Sequence, residues 1–206
     1  MVWKQRRVTC GWLAAASVLT LVACGGNSAT PTSHGSSAPG GSATASGVET
    51  NPGGDIPDSQ AFVTFSDPAG QFTVTVPEGW AQTSTGTTTL FSDKYNSIAL
   101  NTVAAVVAPT VESARSVELP KIQTTATGFS AGKVASASRH AGTAVVLTYQ
   151  AHSAPNAVTG KVAVEAVERY EFWRAGHEVV LTLSAPVGSD NVDPWRKVTD
   201  SFAWRG

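Results

Sequence analysis

The sequence predicts an α+β fold: an antiparallel sheet of six to eight strands covered by helices. Three observations carry this. Phe72-Thr73-Val74-Thr75-Val76 alternates at the two-residue period of a half-buried strand. Residues 161–173 and 177–185 form two alternating runs joined by Arg174-Ala175-Gly176, which reads as a hairpin. Trp195, Val198 and Phe202 recur at i, i+3 and i+7, the apolar stripe of a helix lying on a sheet.

The chain opens with an export signal. Met1-Val-Trp-Lys-Gln-Arg-Arg7 is a basic start, and Leu13 to Ala23 is an apolar run interrupted only by Ser17 and Thr20. A run of that length makes a helix of roughly 20 Å, too short for a hydrocarbon core of about 30 Å. A short buried helix of the domain is excluded because a polar tract follows at once, so residues 1–23 read as a cleaved signal peptide. Arg6-Arg7 invites a twin-arginine reading, but Val8-Thr9-Cys10 lacks the large apolar residues that usually follow, and the general secretory route is expected. Leu21-Val22-Ala23-Cys24 resembles the lipobox of bacterial lipoproteins. That resemblance implies cleavage after Ala23 and lipid attachment at Cys24, with acyl chains such as palmitate as the anchor. Two or three chains hold a protein at a bilayer stably, each buried methylene contributing about 0.8 kcal/mol. The chain is thus expected at the outer face of the cell membrane.

From Gly25 to about Gln60 the residues are mostly Gly, Ser, Ala, Thr and Pro, with only Val48 and Ile56 as larger aliphatics. Such a stretch cannot offset its ordering entropy by burial, and residues 24–60 read as a lipidated cysteine on a flexible tether. The tether's root-mean-square span is roughly 30–35 Å. Residues 61–206 form the globular domain.

Charge excludes some partners. Of 14 basic and 15 acidic residues, Lys4, Arg6 and Arg7 leave with the signal, and Glu49, Asp55 and Asp58 fall in the tether, so the domain carries about −1. Neither a nucleic-acid groove nor a polybasic membrane patch fits that balance. Of the two cysteines, Cys10 lies in the signal, leaving Cys24 alone in the mature chain and no internal disulfide. Stability must come from the core.

Within the domain, Phe62-Val63-Thr64-Phe65 alternates as a first strand, and Asp67-Pro68-Ala69-Gly70 places Asp, Pro and Gly where a type I turn takes them. Pro77-Glu78-Gly79 ends the next strand and delivers Trp80. Weaker strands are expected near 87–92 and 97–107. Pro109 to Thr127 is a helical candidate with Thr110 as cap, and Pro120 should break or kink it near Leu119. Strands resume at 129–139 and 143–151, where Val145, Leu147 and Tyr149 share a face. Val179, Leu181, Leu183 and Ala185 share a face of the hairpin's second arm, which Pro186 stops. Asp193-Pro194 reads as a cap followed by the first helical residue, with Asp193 facing Lys197.

Three stretches together carry a resemblance: Asp67-Pro-Ala-Gly-Gln-Phe-Thr-Val-Thr-Val-Pro-Glu-Gly-Trp80, Glu168-Arg169-Tyr170, and Asp190-Asn-Val-Asp-Pro-Trp-Arg196 with Ser201-Phe-Ala-Trp204. The chain resembles actinobacterial lipoproteins of the LpqN/LpqT type, which are grouped with PsbP-like and Ran-binding Mog domains. The resemblance spans roughly 60–206 and implies an α/β/α sandwich around the antiparallel sheet. It brings no catalytic motif, and it implies an accessory or binding role. The interrupted helix near 109–127 is where departure from that family is expected.

No constellation argues for chemistry. Gly128-Phe129-Ser130-Ala131-Gly132 matches G-x-S-x-G, but a nucleophile elbow needs a strand before the serine and a helix after it, and here the order is reversed. His140, His152 and His177 lack the spacing that puts metal ligands on one element. Trp80, Trp173, Trp195 and Trp204 read mainly as packing. Glu168 is the anomaly: it falls among Val162, Val164, Ala166, Tyr170 and Phe172 on an apolar face, where an unpaired carboxylate is costly. A β-bulge near 166–168 would turn it outward, a partner such as Arg139 or Arg169 would satisfy it, or it faces a ligand. The function expected is a non-catalytic binding or accessory domain of the cell envelope, without a cofactor. Its partner would be an envelope protein, a polymer or an apolar molecule, with Trp80, Glu168 and Arg169 as binding candidates. A hydrolase using Ser130 and an envelope spacer are the alternatives.

Overall fold

The computed structural model describes residues 53–156 and 158–206. The signal segment, the lipobox with Cys24, and the tether up to residue 52 lie outside the described residues.

The chain folds as two antiparallel sheets. β1 (Phe62–Ser66), β2 (Phe72–Pro77) and β10 (Ala203–Trp204) form a three-stranded sheet with β2 in the middle. The seven-stranded sheet holds β3 (Ala81–Thr85), β4 (Thr88–Asp93), β5 (Asn96–Ala104), β9 (His177–Pro186), β8 (Val164–Arg174), β7 (Gly142–His152) and β6 (Ser130–Arg139), in that order. The expected strand count is met by the larger sheet alone. β3 has no counterpart in the sequence reading, because Ala-Gln-Thr-Ser-Thr offers no apolar alternation and every residue of this edge strand is exposed. The strand expected over 97–107 stops at Ala104.

The turn between β1 and β2 closes as its residues require. Gly70 donates to the Asp67 carbonyl at 2.8 Å, Gln71 N–H donates to Asp67 Oδ2 at 3.1 Å, and Gly70 takes a φ of +73° that only glycine adopts freely.

One face of the large sheet is covered by the small sheet and by α3 (Val192–Ser201). Phe72, Val74 and Val76 meet Val179, Leu181, Leu183, Phe172 and the Trp195–Val198–Phe202 stripe in the main core. Ile56, placed by sequence in the tether, is only 4% exposed and belongs to this core. The opposite face is covered at β6 and β7 by a helical stretch made of α1 (Val111–Ser113), a π segment (Ala114–Glu118) and α2 (Leu119–Thr125). There Ala114, Val111, Leu119 and Ile122 pack on Val134, Val145 and Leu147.

Thr110 caps this stretch as expected, its side chain accepting from Ser113 N–H at 3.0 Å. Pro120 does not break it. An α-turn would leave the Ser116 carbonyl without a donor and against the proline ring. The chain widens instead, Leu119 N–H donating five residues back to Ala114.

α3 begins earlier than its sequence suggested. Asn191, not Asp193, is the cap residue, and it makes no side-chain capping bond. Its amide is used elsewhere: Oδ1 accepts from Ile56 N–H at 2.7 Å and Nδ2 donates to the Gly54 carbonyl at 2.9 Å. Pro194 stays in the first turn, where its missing N–H costs nothing. The i, i+4 ion pair is Arg196–Asp200 at 3.2 Å, while Lys197 lies over the Phe62 ring, 4.2 Å from its centroid.

Candidate functional site

Glu168 stands in β8 opposite Thr148 of β7 and Leu183 of β9, and the register runs through 164–174 without a shift. No bulge turns it outward. The apolar face simply ends here. Along β7 the residues on this side change from Ala144 and Val146 to Thr148 and Gln150, and the sheet emerges from under α3. A groove of about 240 Å³ results, lined among others by Ser130, Ala131, Gly132, Ala166, Glu168 and Trp195. Small residues make its floor. Gly132 must be small, since a Cβ there would stand 2.5 Å from the Thr148 carbonyl oxygen.

A chain of hydrogen bonds holds the carboxylate. Tyr170 OH donates to Glu168 Oε2 at 2.7 Å. The tyrosine hydroxyl oxygen in turn accepts from Arg139 Nη2 at 2.8 Å. Arg139 Nε donates to Thr199 Oγ1 at 2.9 Å and lies 3.6 Å from Asp200 Oδ1. Burial, with the Glu168 carboxylate beside it, pushes the Tyr170 hydroxyl up to about 12. It therefore remains a donor across the physiological range. The partner of Glu168 is this tyrosine, with Arg139 one bond behind. Trp195 forms a wall, and its buried Nε1 has no partner among the described residues.

Arg169, the next residue, points to the other face, as alternation requires. Its Nε donates to Glu171 Oε1 at 3.1 Å and its Nη2 lies 3.9 Å from Glu118 Oε2. Glu171 is 1% exposed, and burial raises its pKa against the lowering effect of Arg169. Trp80 is half-buried over a separate recess of about 350 Å³ with Ile56, Asp93 and Asn96. It sits at the open end of the β8–β9 hairpin, since Ser97 pairs with Ser184 there while Ala104 pairs with His177 beside the turn. Trp80, Glu168 and Arg169 thus occupy three different places.

Ser130 opens β6 just after α2, so the motif around it has helix before and strand after. His140, His152 and His177 are all exposed at strand ends. Among the described residues no group of three or more His, Cys, Asp or Glu could hold a metal ion, and no helix is long and apolar enough to cross a membrane.

The chain matches no family model and no curated protein. Solved structures similar to it include the kinds of protein its sequence resembles. Cyanobacterial PsbP from Synechocystis is 13% identical, with 74% of this chain and 98% of that one covered and a TM-score of 0.48. The Ran-binding protein Mog1p of Saccharomyces cerevisiae is 12% identical, with 70% and 95% covered and a TM-score of 0.47. LpqN of Mycobacterium tuberculosis, described as involved in cell envelope biogenesis, is 14% identical, with 72% and 87% covered and a TM-score of 0.38. The chain spans about half, 48%, of a similar Bacteroides thetaiotaomicron protein. At such identities and TM-scores these likenesses say nothing about function, and the architecture rests on the strands themselves.

Proposed function

We propose that this chain is a lipid-anchored protein of the cell envelope whose domain binds rather than catalyses, and that the Glu168 groove is where it binds. The observation that carries the reading is a carboxylate kept in place by a protonated tyrosine and opening onto a largely apolar groove. One oxygen is held by Tyr170, so the other is left to accept a hydrogen bond from a donor-bearing, otherwise apolar group. A long tether from Cys24 keeps such a domain at high local concentration near the membrane while leaving its orientation free.

Two measurements test this. Metabolic labelling with an alkynyl fatty acid should mark the wild type and not Cys24→Ala; equal labelling would remove the anchor from the reading. A photo-crosslinking residue at Ala131 should capture a molecule from intact envelopes, and Glu168→Ala should lose the capture while melting as the wild type does. A fluorophosphonate adduct on Ser130, lost together with esterase turnover in Ser130→Ala, would overturn the non-catalytic reading.

A further inference from the structure

On the sheet face away from the Glu168 groove, a second cavity of about 210 Å³ lies between the strands and the 107–118 segment. Glu118, Glu171 and Glu178 line it. Register puts Glu171 between Val145 of β7 and Val180 of β9, two buried valines, at the cavity floor. Arg169 engages its Oε1, but its Oε2 is buried with no hydrogen-bond partner among the described residues. Arg169 is also shared with Glu118, whose Oε1 is taken by Lys121 Nζ at 2.9 Å. Glu178 forms no ion pair among the described residues. Among the described residues three carboxylates therefore share two cations, one positive charge short. Burial first and the Glu171 charge second raise the pKa of Glu178, as that shortage requires.

The mouth has the opposite character. Val107 and Val117, which line it, are 77% and 45% exposed. This rim is anchored: Trp173 Nε1 donates to the Ala105 carbonyl at 2.7 Å, and Thr110 and Ser113 form a reciprocal capping box at its other end.

We propose that this cavity receives the ammonium group of a lysine side chain presented by a partner protein. The inference is independent of the Glu168 groove. A lysine passes an apolar stem along the valines while its three donors meet Glu178, with the Glu171 charge behind it. Glu171 is already desolvated in the free domain, so that part of the cost does not fall on binding. A metal ion fits less well, since the described residues form no ligand group. A free small amine would leave the valine rim in water, whereas a protein surface covers it.

The test uses the full chain with its glutamate carboxyl carbons labelled with 13C, titrated with an acetylated leucine–lysine–leucine tripeptide amide. Saturable shifts of the Glu178 and Glu171 resonances are expected. Binding should weaken at least tenfold when norleucine replaces the lysine, and equally in Glu178→Gln, whose amide spectrum reports its fold. Val107→Ser, an exposed change that does not threaten folding, should weaken the tripeptide but not n-butylammonium. No saturable shift, or unchanged affinity in Glu178→Gln, would overturn the site. Butylammonium, or the same tripeptide with arginine in place of lysine, binding as tightly as the lysine tripeptide would overturn the lysine of a protein as occupant.

Discussion

A carboxylate in β8 behaves according to the face it stands on. Glu168 meets a tyrosine donor at the edge of a groove, whereas Glu171 stands between two buried valines with Oε2 unpaired among the described residues. Burial raises the pKa of Glu171 above its ordinary 4.5, with Arg169 only partly opposing. Such a group binds its proton more tightly in the folded chain than in the unfolded one, so its contribution to stability falls as pH rises from 4.5 through the raised value. Glu178 acts with the same sign. Glu171→Gln carries no proton to lose. Urea midpoints measured from pH 4.5 to about pH 8 should show the variant gaining on the wild type as pH rises; parallel curves would contradict the assignment. Glu168 was legible in the sequence because it interrupts an apolar face. Glu171 was not, because Glu165, Val167, Arg169, Glu171 and Trp173 read as a solvent face. The segment from Ala105 through the helical stretch 111–125, distant in sequence, covers that face at Arg169, Glu171 and Trp173, and strand periodicity carries no information about it.

At the scale of elements, local chemistry fixes the hairpin more firmly than the helices. Ala175 and Gly176 both take positive φ, +50° and +87°, which a two-residue type I′ turn demands and which matches the twist of the arms it joins. Glycine adopts that conformation freely, but the left-handed region costs alanine roughly 1–2 kcal/mol. Asn-Gly is the favoured pair for this turn. Ala175→Asn should therefore stabilise the domain by about 1 kcal/mol, raising the melting temperature by about 2–4 °C. A lower melting temperature would show that the turn is not strained. The same local reading missed β3, whose residues carry no pattern, and left open whether Pro120 breaks the helix or only distorts it. A proline's lost hydrogen bond can be answered by ending a helix or by widening it, and the choice depends on packing. Here Val111 before the π segment and Leu119 and Ile122 after it all reach the sheet. A broken helix would withdraw one of them.

The molecule as a whole is held together through its C-terminal residues. Phe202 lies between the two sheets, its ring stacked on Phe72 at 5.3 Å and on Phe172 at 4.3 Å, with Trp204 edge-on at 5.2 Å. Trp195 and Val198 fill the same core from α3, and β10 completes the small sheet beside β2. Asn191 fastens the Gly54–Ile56 segment to the domain. A chain cut before Asp190 loses all of these at once. Each large apolar side chain contributes about 1.5–3 kcal/mol by burial, and a domain's net stability is only about 5–15 kcal/mol. The truncated chain should therefore not fold, giving no cooperative melt and a collapsed amide spectrum. Phe202→Ala is the graded form of the same test. It leaves α3 and Asn191 intact, removes only the ring between the sheets, and should cost about 3–5 kcal/mol in a urea titration. A truncated chain melting near the full-length temperature, or a Phe202→Ala cost no larger than that of an exposed valine, would show that the sheets cohere without the C-terminal residues.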